Sequence, residues 1–388
     1  MAGELGDSEQ IECRQCRHSV PRLEFCVRCG HSLAEEYHGE RLRRGGTYAA
    51  APNESVRSLA LISTLFPELP RADMRVFRLC FAAGVALLIG LGLLGLFPVA
   101  LVTAAVLVPF LMVLYLWTVD TYEDEPRPVI GATMVWGALA GVVSALIASR
   151  LPAPIGLGGL DVAALAASGV VMPLVDLLLM LIGPLLLLPW RRFNDALDGA
   201  IFGAASAISF GGARLLVIAV PMLGAGLRPG GDPLQWTIQL LSLGVLLPVI
   251  AAGSLGALCG TLWLRFRAPV ADRHALGYSG SPAVAAVAAA SLLVLAGLTR
   301  AGLPPVPQAV VLVVLAIAAL FWLRTMIHFG LLQEAREIDI GAPMTCPNCG
   351  RETPVHTFCG NCGVAMRALP RPSHPPVESA PAAGSPTS

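Results

Sequence analysis

Eight long apolar segments constrain this chain more than any other feature of its sequence. A helix needs about 20 mainly apolar residues to cross the hydrocarbon core of a bilayer. Segments of about that length lie near residues 77–97, 99–119, 129–149, 163–188, 198–220, 237–263, 282–299 and 308–327. We therefore predict an all-α polytopic membrane protein with about eight transmembrane helices, surrounded by the lipid bilayer.

The overall composition supports the same fold class. Of the 388 residues, 55% are hydrophobic and only 13% are charged, with a mean hydropathy of +0.70. This balance is far from that of a soluble globular domain. The formal net charge is zero, so the chain lacks the positive excess that nucleic-acid-binding proteins use, and nucleic acid is not expected as a partner.

The placement of arginine predicts the orientation of the spans, because cytoplasmic loops of membrane proteins carry most of the basic residues. An even number of spans puts both termini on one side. If the termini are cytoplasmic, the outer loops contain only Arg150, Arg228 and Arg300. The inner loops and flanks then contain the arginines at 71, 75, 78, 127, 191, 192, 265, 267, 273, 324 and 336. The absence of lysine and the abundance of alanine and leucine indicate a bacterial source. We therefore predict a multi-pass protein of the bacterial inner membrane with both termini in the cytoplasm.

Four cysteines near each end of the chain share the spacing C-x2-C-x9-C-x2-C. Two close pairs of thiolates on short turns can converge on a tetrahedral zinc ion, whose binding supplies folding energy that so short a segment lacks. The alternatives are disulfides, which a cytoplasmic location disfavours, and a redox dithiol, which the repeated pairing disfavours. The two segments resemble the zinc-ribbon domains of many bacterial membrane proteins, which implies two structural zinc ions. The predicted ligands are Cys13, Cys16, Cys26, Cys29, Cys346, Cys349, Cys359 and Cys362.

Turn residues and histidines near these cysteines refine the prediction. Glycine after a cysteine pair lets the backbone turn tightly toward the sulfurs, and it is present at Gly30, Gly350 and Gly363, whereas Arg17 takes its place at the first pair. Because four thiolates already fill each site, the nearby histidines are expected at the surface. They are His18, His31 and His356.

These features divide the chain into six parts. The last part is rich in proline, alanine and serine without an apolar period, which predicts disorder. The parts are an N-terminal zinc ribbon (1–36), a linker and juxtamembrane segment (37–76), an eight-helix membrane domain (77–327), a second linker (328–345), a C-terminal zinc ribbon (346–366) and a disordered tail (367–388).

Two charged residues stand out inside the apolar segments: Asp176 in the fourth and Arg214 in the fifth. A charge near the centre of a membrane helix costs roughly 2.5 to 3.5 kcal/mol, so each requires a partner or a function. Counted from the turn between the two spans, both lie roughly 20 to 25 Å deep. We predict that they form an ion pair; the rival interpretation is a water-filled cavity used for transport or catalysis. Arg214 also extends a stripe of small residues that favours close helix packing, formed by Gly199, Gly203, Ala207 and Gly211.

Four stretches carry a family resemblance. They are YLWTVDTYEDEPRP, VWGALAGVVSALIAS, MPLVDLLLM and FNDALDGAIFGAASAISFGGA. Together they resemble the PrsW-type intramembrane protease family over roughly residues 115–260. The resemblance implies an EExxK motif on one membrane helix, an FxxxE motif on a later helix and a histidine motif after that.

Carried over to this sequence, the catalytic pattern is degenerate. Asp176, Leu177 and Met180 stand where the two glutamates and the lysine of EExxK are expected. Phe210 begins the FxxxE motif, but Arg214 occupies the position of its glutamate. The resemblance therefore implies a family scaffold whose site positions hold different chemistry.

The expected histidine is missing as well. No histidine occurs between His38 and His274, and Pro248 falls at the aligned position. Peptide hydrolysis needs an activated water and a group that protonates the leaving amine, and arginine cannot deliver a proton at neutral pH. We therefore expect no catalytic residue in the degenerate site and lean against an enzyme.

Three functions remain open. The preferred one is a non-catalytic scaffold or sensor whose cytoplasmic zinc ribbons bind a protein partner. An active intramembrane protease and a small-solute transporter with Asp176 on its path are the alternatives. The physiological role, the partner and the oligomeric state are left undefined by the sequence.

Overall fold

The computed structural model of the chain describes most of the membrane domain and both cysteine-rich ends. The described residues are 10–14, 16–33, 75–119, 127–152, 155–156, 159–224, 232–268, 270, 273, 276–337, 340–364 and 366. The predicted first linker up to residue 74 and the predicted disordered tail lie outside these ranges.

Eight helices of the described residues are long and apolar enough to cross a membrane, which confirms the predicted fold class. The last of them continues past the predicted end of the membrane domain into the stretch assigned to the second linker. The helices are α1 (Arg75–Leu93), α2 (Phe97–Val119), α3 (Arg127–Ala148), α4 (Val162–Leu187), α5 (Ala196–Gly224), α6 (Pro233–Phe266), α7 (Pro282–Gly302) and α8 (Pro305–Glu337).

Helices α4 and α6 share a local irregularity. Each contains one π-helical turn, Ala167–Val171 in α4 and Ser242–Leu246 in α6. In each case a proline follows two residues after the turn, at Pro173 and Pro248. A proline ring clashes with the carbonyl group four residues earlier and offers no amide hydrogen. The wider π turn accommodates both defects without ending the helix.

The small residues predicted to allow close packing place α5 at the centre of the bundle. A Cβ atom at Gly199 or Gly203 would collide with backbone carbonyl groups of α6. On α3, a Cβ at Gly137 or Gly141 would collide with the backbone of α5. Helix α5 is therefore held between α3 and α6 at distances that only glycine permits.

Short antiparallel hairpins complete the fold. One hairpin lies in each cysteine-rich end, and a third, of two residues per strand, joins α3 to α4. The strands are β1 (Gln10–Glu12) with β2 (Ser19–Pro21), β3 (Ile155–Gly156) with β4 (Gly159–Leu160), and β5 (Pro343–Thr345) with β6 (Glu352–Pro354). The two terminal hairpins have matching lengths and registers, as expected for a repeated unit.

Candidate functional site

A cavity of about 110 Å³ lies inside the bundle, between α4, α5, α6 and α7. Most of its wall is apolar. Five of the positions aligned with the catalytic motifs contribute to this wall, although they come from three different helices. They are Asp176, Met180, Phe210, Arg214 and Pro248. The cavity is therefore where a family active site would lie.

The carboxylate of Asp176 accepts two side-chain hydrogen bonds in this cavity. Its side chain is buried, with the residue only 7% exposed. Arg214 donates a hydrogen bond from Nη1 to Oδ2 within an ion pair. On the other side, Ser144 of α3 donates from Oγ to Oδ1 at 2.5 Å. The structure thus brings together the predicted pair and adds a hydroxyl group that the sequence analysis did not identify.

Arg300 is a second guanidinium at the same cavity. The sequence analysis placed it in an outer loop, and this placement is wrong because α7 continues to Gly302. Arg300 is close enough to Asp176 and Arg214 to interact electrostatically with both. Three apolar residues precede Arg300 on the same face of α7 and also line the cavity. They are Leu293, Ala296 and Gly297.

Each cysteine quartet has the geometry of a zinc site. All four sulfur atoms of a quartet lie within 4.8 Å of one another, and all eight thiols are free. Tetrahedral zinc with Zn–S bonds of about 2.3 Å requires sulfur–sulfur distances of about 3.8 Å. The distances are 3.7 Å for Cys13–Cys29, 3.8 Å for Cys16–Cys26, 3.9 Å for Cys346–Cys362 and 3.8 Å for Cys349–Cys359. The predicted ligands therefore converge as a closed metal site requires.

The turns that carry these cysteines repeat one backbone geometry. In each, the amide at the turn's end donates to the carbonyl of the cysteine four residues earlier. The donors are Arg17 (2.7 Å), Gly30 (2.8 Å), Gly350 (2.9 Å) and Gly363 (2.9 Å), with φ angles of 57°, 72°, 70° and 69°. Arg17 thus adopts the left-handed conformation that glycine adopts in the other three turns, although it carries a Cβ atom that makes this conformation costly.

The thiols of the N-terminal quartet also influence one another's ionisation. Hydrogen bonds from Cys13, Cys26 and Cys29 hold the pKa of Cys16 well below its usual range. Hydrogen bonding to Cys13 and the other thiols, together with burial, holds the pKa of Cys29 well above its usual range. The quartet therefore stabilises a thiolate among its four sulfurs, which is the ionisation state that a metal ion binds.

The two cysteine-rich segments, called the ribbons below, pack against each other through matching contacts. The amide of Phe25 donates to the carbonyl of Gly360 at 2.8 Å, and the amide of Phe358 donates to the carbonyl of Val27 at 2.9 Å. Phe25 and Phe358 occupy the same position in the repeat, just before its third cysteine, and Val27 and Gly360 the position just after it. The interface is therefore pseudo-symmetric, with each ribbon offering the same surface to the other.

Side chains fill this interface. His356 is buried, with Nδ1 3.0 Å from the carbonyl oxygen of Val27, so its predicted surface position is wrong. Leu23, at the equivalent position of the first ribbon, packs against Gly360. Phe358 is completely buried and belongs to the main apolar core, which extends into the membrane bundle. The C-terminal ribbon therefore contacts the membrane domain through Phe358.

Comparison with known proteins gives one family match. A sequence model described as the PrsW family intramembrane metalloprotease matches residues 125–213. This range covers α3, α4 and most of α5, and it ends one residue before Arg214. The resemblance to this family is confirmed over that range. No curated protein and no solved structure matches the chain.

The cavity residues do not suit the metal that a metalloprotease needs. Asp176 is the single carboxylate in the cavity wall, which contains no histidine and no cysteine. Across the described ranges, groups of three or more residues able to share a metal ion are found only as the two cysteine quartets. The residues able to hold metal thus lie at the ends of the chain and not at the family site.

Proposed function

We propose that this chain is a non-catalytic membrane protein, related in its scaffold to the PrsW proteases, that presents paired zinc ribbons to a protein partner. The observation that carries the proposal is the cavity, where an Asp176–Arg214 ion pair occupies the positions of two catalytic glutamates. The membrane domain then serves as an anchor and scaffold.

Peptide hydrolysis has no suitable pair of groups in this cavity. A protease of this kind needs a general base for the attacking water and an acid for the leaving amine. The Arg214 guanidinium already occupies one oxygen of the Asp176 carboxylate, and an arginine cannot act as the acid at neutral pH. No second carboxylate and no histidine compensates, because Leu177, Met180 and Pro248 fill the remaining aligned positions.

The zinc ribbons are proposed to be structural and to face the cytoplasm. Each quartet would hold one zinc ion through four thiolates, leaving no open position for a substrate. The arginine-rich loops support a cytoplasmic location in a bacterial inner membrane. The contact between the ribbons agrees with both termini lying on one side of the bilayer.

Cleavage assays test the absence of catalysis. The purified protein is reconstituted with a bilayer-embedded reporter peptide, beside an active member of the PrsW family, and the products are followed by mass spectrometry. We expect cleavage by the active relative and none by this protein. Cleavage by the wild type that disappears in Asp176→Asn, but persists in the matched surface change Asp161→Asn, would establish the protease alternative.

Crosslinking in cells tests the partner role of the ribbons. The double change Cys346→Ser/Cys349→Ser is expected to remove crosslinks between the C-terminal ribbon and a specific partner. Cys80→Ser, which removes a thiol of α1 outside the quartets, is the control and is expected to keep them. Identical crosslinking in all three proteins would contradict the proposal.

One observation favours transport as a second candidate. The cavity is bordered by the two π-helical turns of α4 and α6, and π-helical turns are frequent at functional sites. The volume of about 110 Å³ is below that of common ligand pockets, so passage of a solute would require a more open state. Solute flux into proteoliposomes that is lost in Asp176→Asn would support transport over the scaffold role.

A further inference from the structure

The charges around the intramembrane cavity do not balance. Two guanidinium groups, of Arg214 and Arg300, share a single carboxylate, that of Asp176. Among the described spans, Asp176 is the only carboxylate that lies away from a helix end. The charged side chains around the cavity therefore sum to one excess positive charge, and a partly buried charge of this kind favours a counter-charge.

Both carboxylate oxygens of Asp176 already accept a hydrogen bond from a residue other than Arg300. Its Oδ2 atom accepts from Arg214 and its Oδ1 atom accepts from Ser144. The described residues include no hydrogen-bond or ion-pair partner of Arg300 within contact distance. The excess positive charge is therefore located at Arg300.

The helical spacing of α7 aims Arg300 into the cavity. Leu293, Ala296, Gly297 and Arg300 follow the i, i+3, i+4, i+7 pattern of one helix face, and all four line the cavity. Gly297 packs directly against α4, because a Cβ atom there would meet Pro173. Arg300 thus lies on a packed face of α7. It is close to the end of the bundle opposite the zinc ribbons.

We propose that this cavity binds an anion, a phosphate or carboxylate group, with Arg300 as the main contact and Arg214 as the second. Guanidinium groups bind both anions through paired, charge-assisted hydrogen bonds. The cavity volume of about 110 Å³ suits the anionic group itself and not a whole metabolite. Such a group belongs either to a small free anion or to the headgroup of a lipid that enters near the end of α7.

Binding to the purified, detergent-solubilised full chain tests the proposal. The probes are inorganic phosphate, short-chain phosphatidylglycerol and, as the neutral control, short-chain diacylglycerol. We expect at least one anionic probe to raise the midpoint of thermal unfolding and the neutral lipid to have no effect. A response to phosphate alone identifies a free anion, and a response to phosphatidylglycerol alone identifies a lipid headgroup; both support the site.

Two variants separate this site from general charge attraction. Arg300→Gln is expected to weaken binding of the responding probe about tenfold or more. Arg150→Gln removes an exposed arginine at the same end of the bundle and is expected to bind as the wild type does. No response of the wild type to either anion, or equal binding by the wild type and Arg300→Gln, would overturn the proposal.

A measurement on the wild type covers the case in which Arg300→Gln does not fold. Phenylglyoxal modifies arginine side chains, and peptide mapping by mass spectrometry gives the rate at each position. The responding anion is expected to slow the modification of Arg300 and to leave that of Arg150 unchanged. An unchanged rate at Arg300, or no modification there with or without the anion, would refute binding, because a reachable guanidinium is what the anion needs.

Discussion

Removing the carboxylate of Asp176 is the most informative single change in the membrane domain. In Asp176→Asn, the Arg214 guanidinium loses its ion-pair partner and the nearby Arg300 loses the closest negative charge, while both side chains stay partly buried. Breaking a buried ion pair by removing one partner costs about 3 to 5 kcal/mol, because an uncompensated charge stays behind. We expect a loss of unfolding free energy in that range.

Removing the opposite partner should cost less. In Arg214→Gln, Asp176 keeps the hydrogen bond from Ser144, and Arg300 remains close enough to supply a positive charge. We therefore expect the unfolding free energy to fall by about 1 to 3 kcal/mol, which is the cost of leaving one buried group without a hydrogen-bond partner. The structure predicts an asymmetry between the two changes that an isolated pair would not show.

The assay is equilibrium unfolding of the detergent-solubilised protein in SDS, followed by tryptophan fluorescence, for both single variants and the double variant. If the two residues are coupled, the double variant loses less unfolding free energy than the two single variants lose together. The expected difference is roughly 0.5 to 3 kcal/mol. Asp161→Asn is the matched control, because Asp161 caps the start of α4 and asparagine caps a helix about as well.

Two results would refute this reasoning. Additive effects of Asp176→Asn and Arg214→Gln would mean that the two side chains do not interact. A loss in Arg214→Gln equal to or larger than that in Asp176→Asn would mean that Arg300 does not contribute to the charge balance of the cavity.

Three further predictions concern the zinc ribbons. Metal analysis should find two zinc ions per chain, falling to one in Cys346→Ser/Cys349→Ser; an unchanged content would exclude the second quartet as a site. Arg17→Gly should stabilise the N-terminal ribbon by up to about 1 kcal/mol, because relief of the left-handed backbone outweighs the entropy of glycine, and slower zinc loss to a chelator would reveal it. Gly360→Val should separate the ribbons, because its side chain would collide with Leu23; faster hydrogen exchange at Phe25 and Phe358, with two zinc ions retained, is the expected readout.

Local patterns in the sequence predicted much of this architecture. Apolar length is sufficient to identify a membrane span, and cysteine spacing is sufficient to identify a metal quartet, because each depends on residues close together in the chain. The Asp176–Arg214 pair was also predictable, since α4 and α5 are consecutive antiparallel helices and depth can be counted from the turn that joins them.

The features that the sequence did not reveal depend on contacts between distant parts of the chain. Arg300 reaches the cavity because α7 lies beside α4, and the apolar run that identified this span ended before the helix did. His356 is buried only because the N-terminal ribbon covers it. The spacing within α7 places Arg300 on the same face as Ala296 and Gly297, but it does not tell which helix that face meets. Likewise, nothing within the C-terminal ribbon predicts what covers His356.

The pairing of the two ribbons also has a consequence for biosynthesis. The last cysteine of the first quartet and the first cysteine of the second, Cys29 and Cys346, are separated by the entire membrane domain. At a translation rate of about 5 to 20 residues per second, the first ribbon waits from roughly a quarter of a minute to a minute before its counterpart leaves the ribosome. Its contact surface, including Leu23 and Phe25, stays uncovered during that time. A nascent chain of this protein therefore exposes this surface until the last helix and the second ribbon have been synthesised.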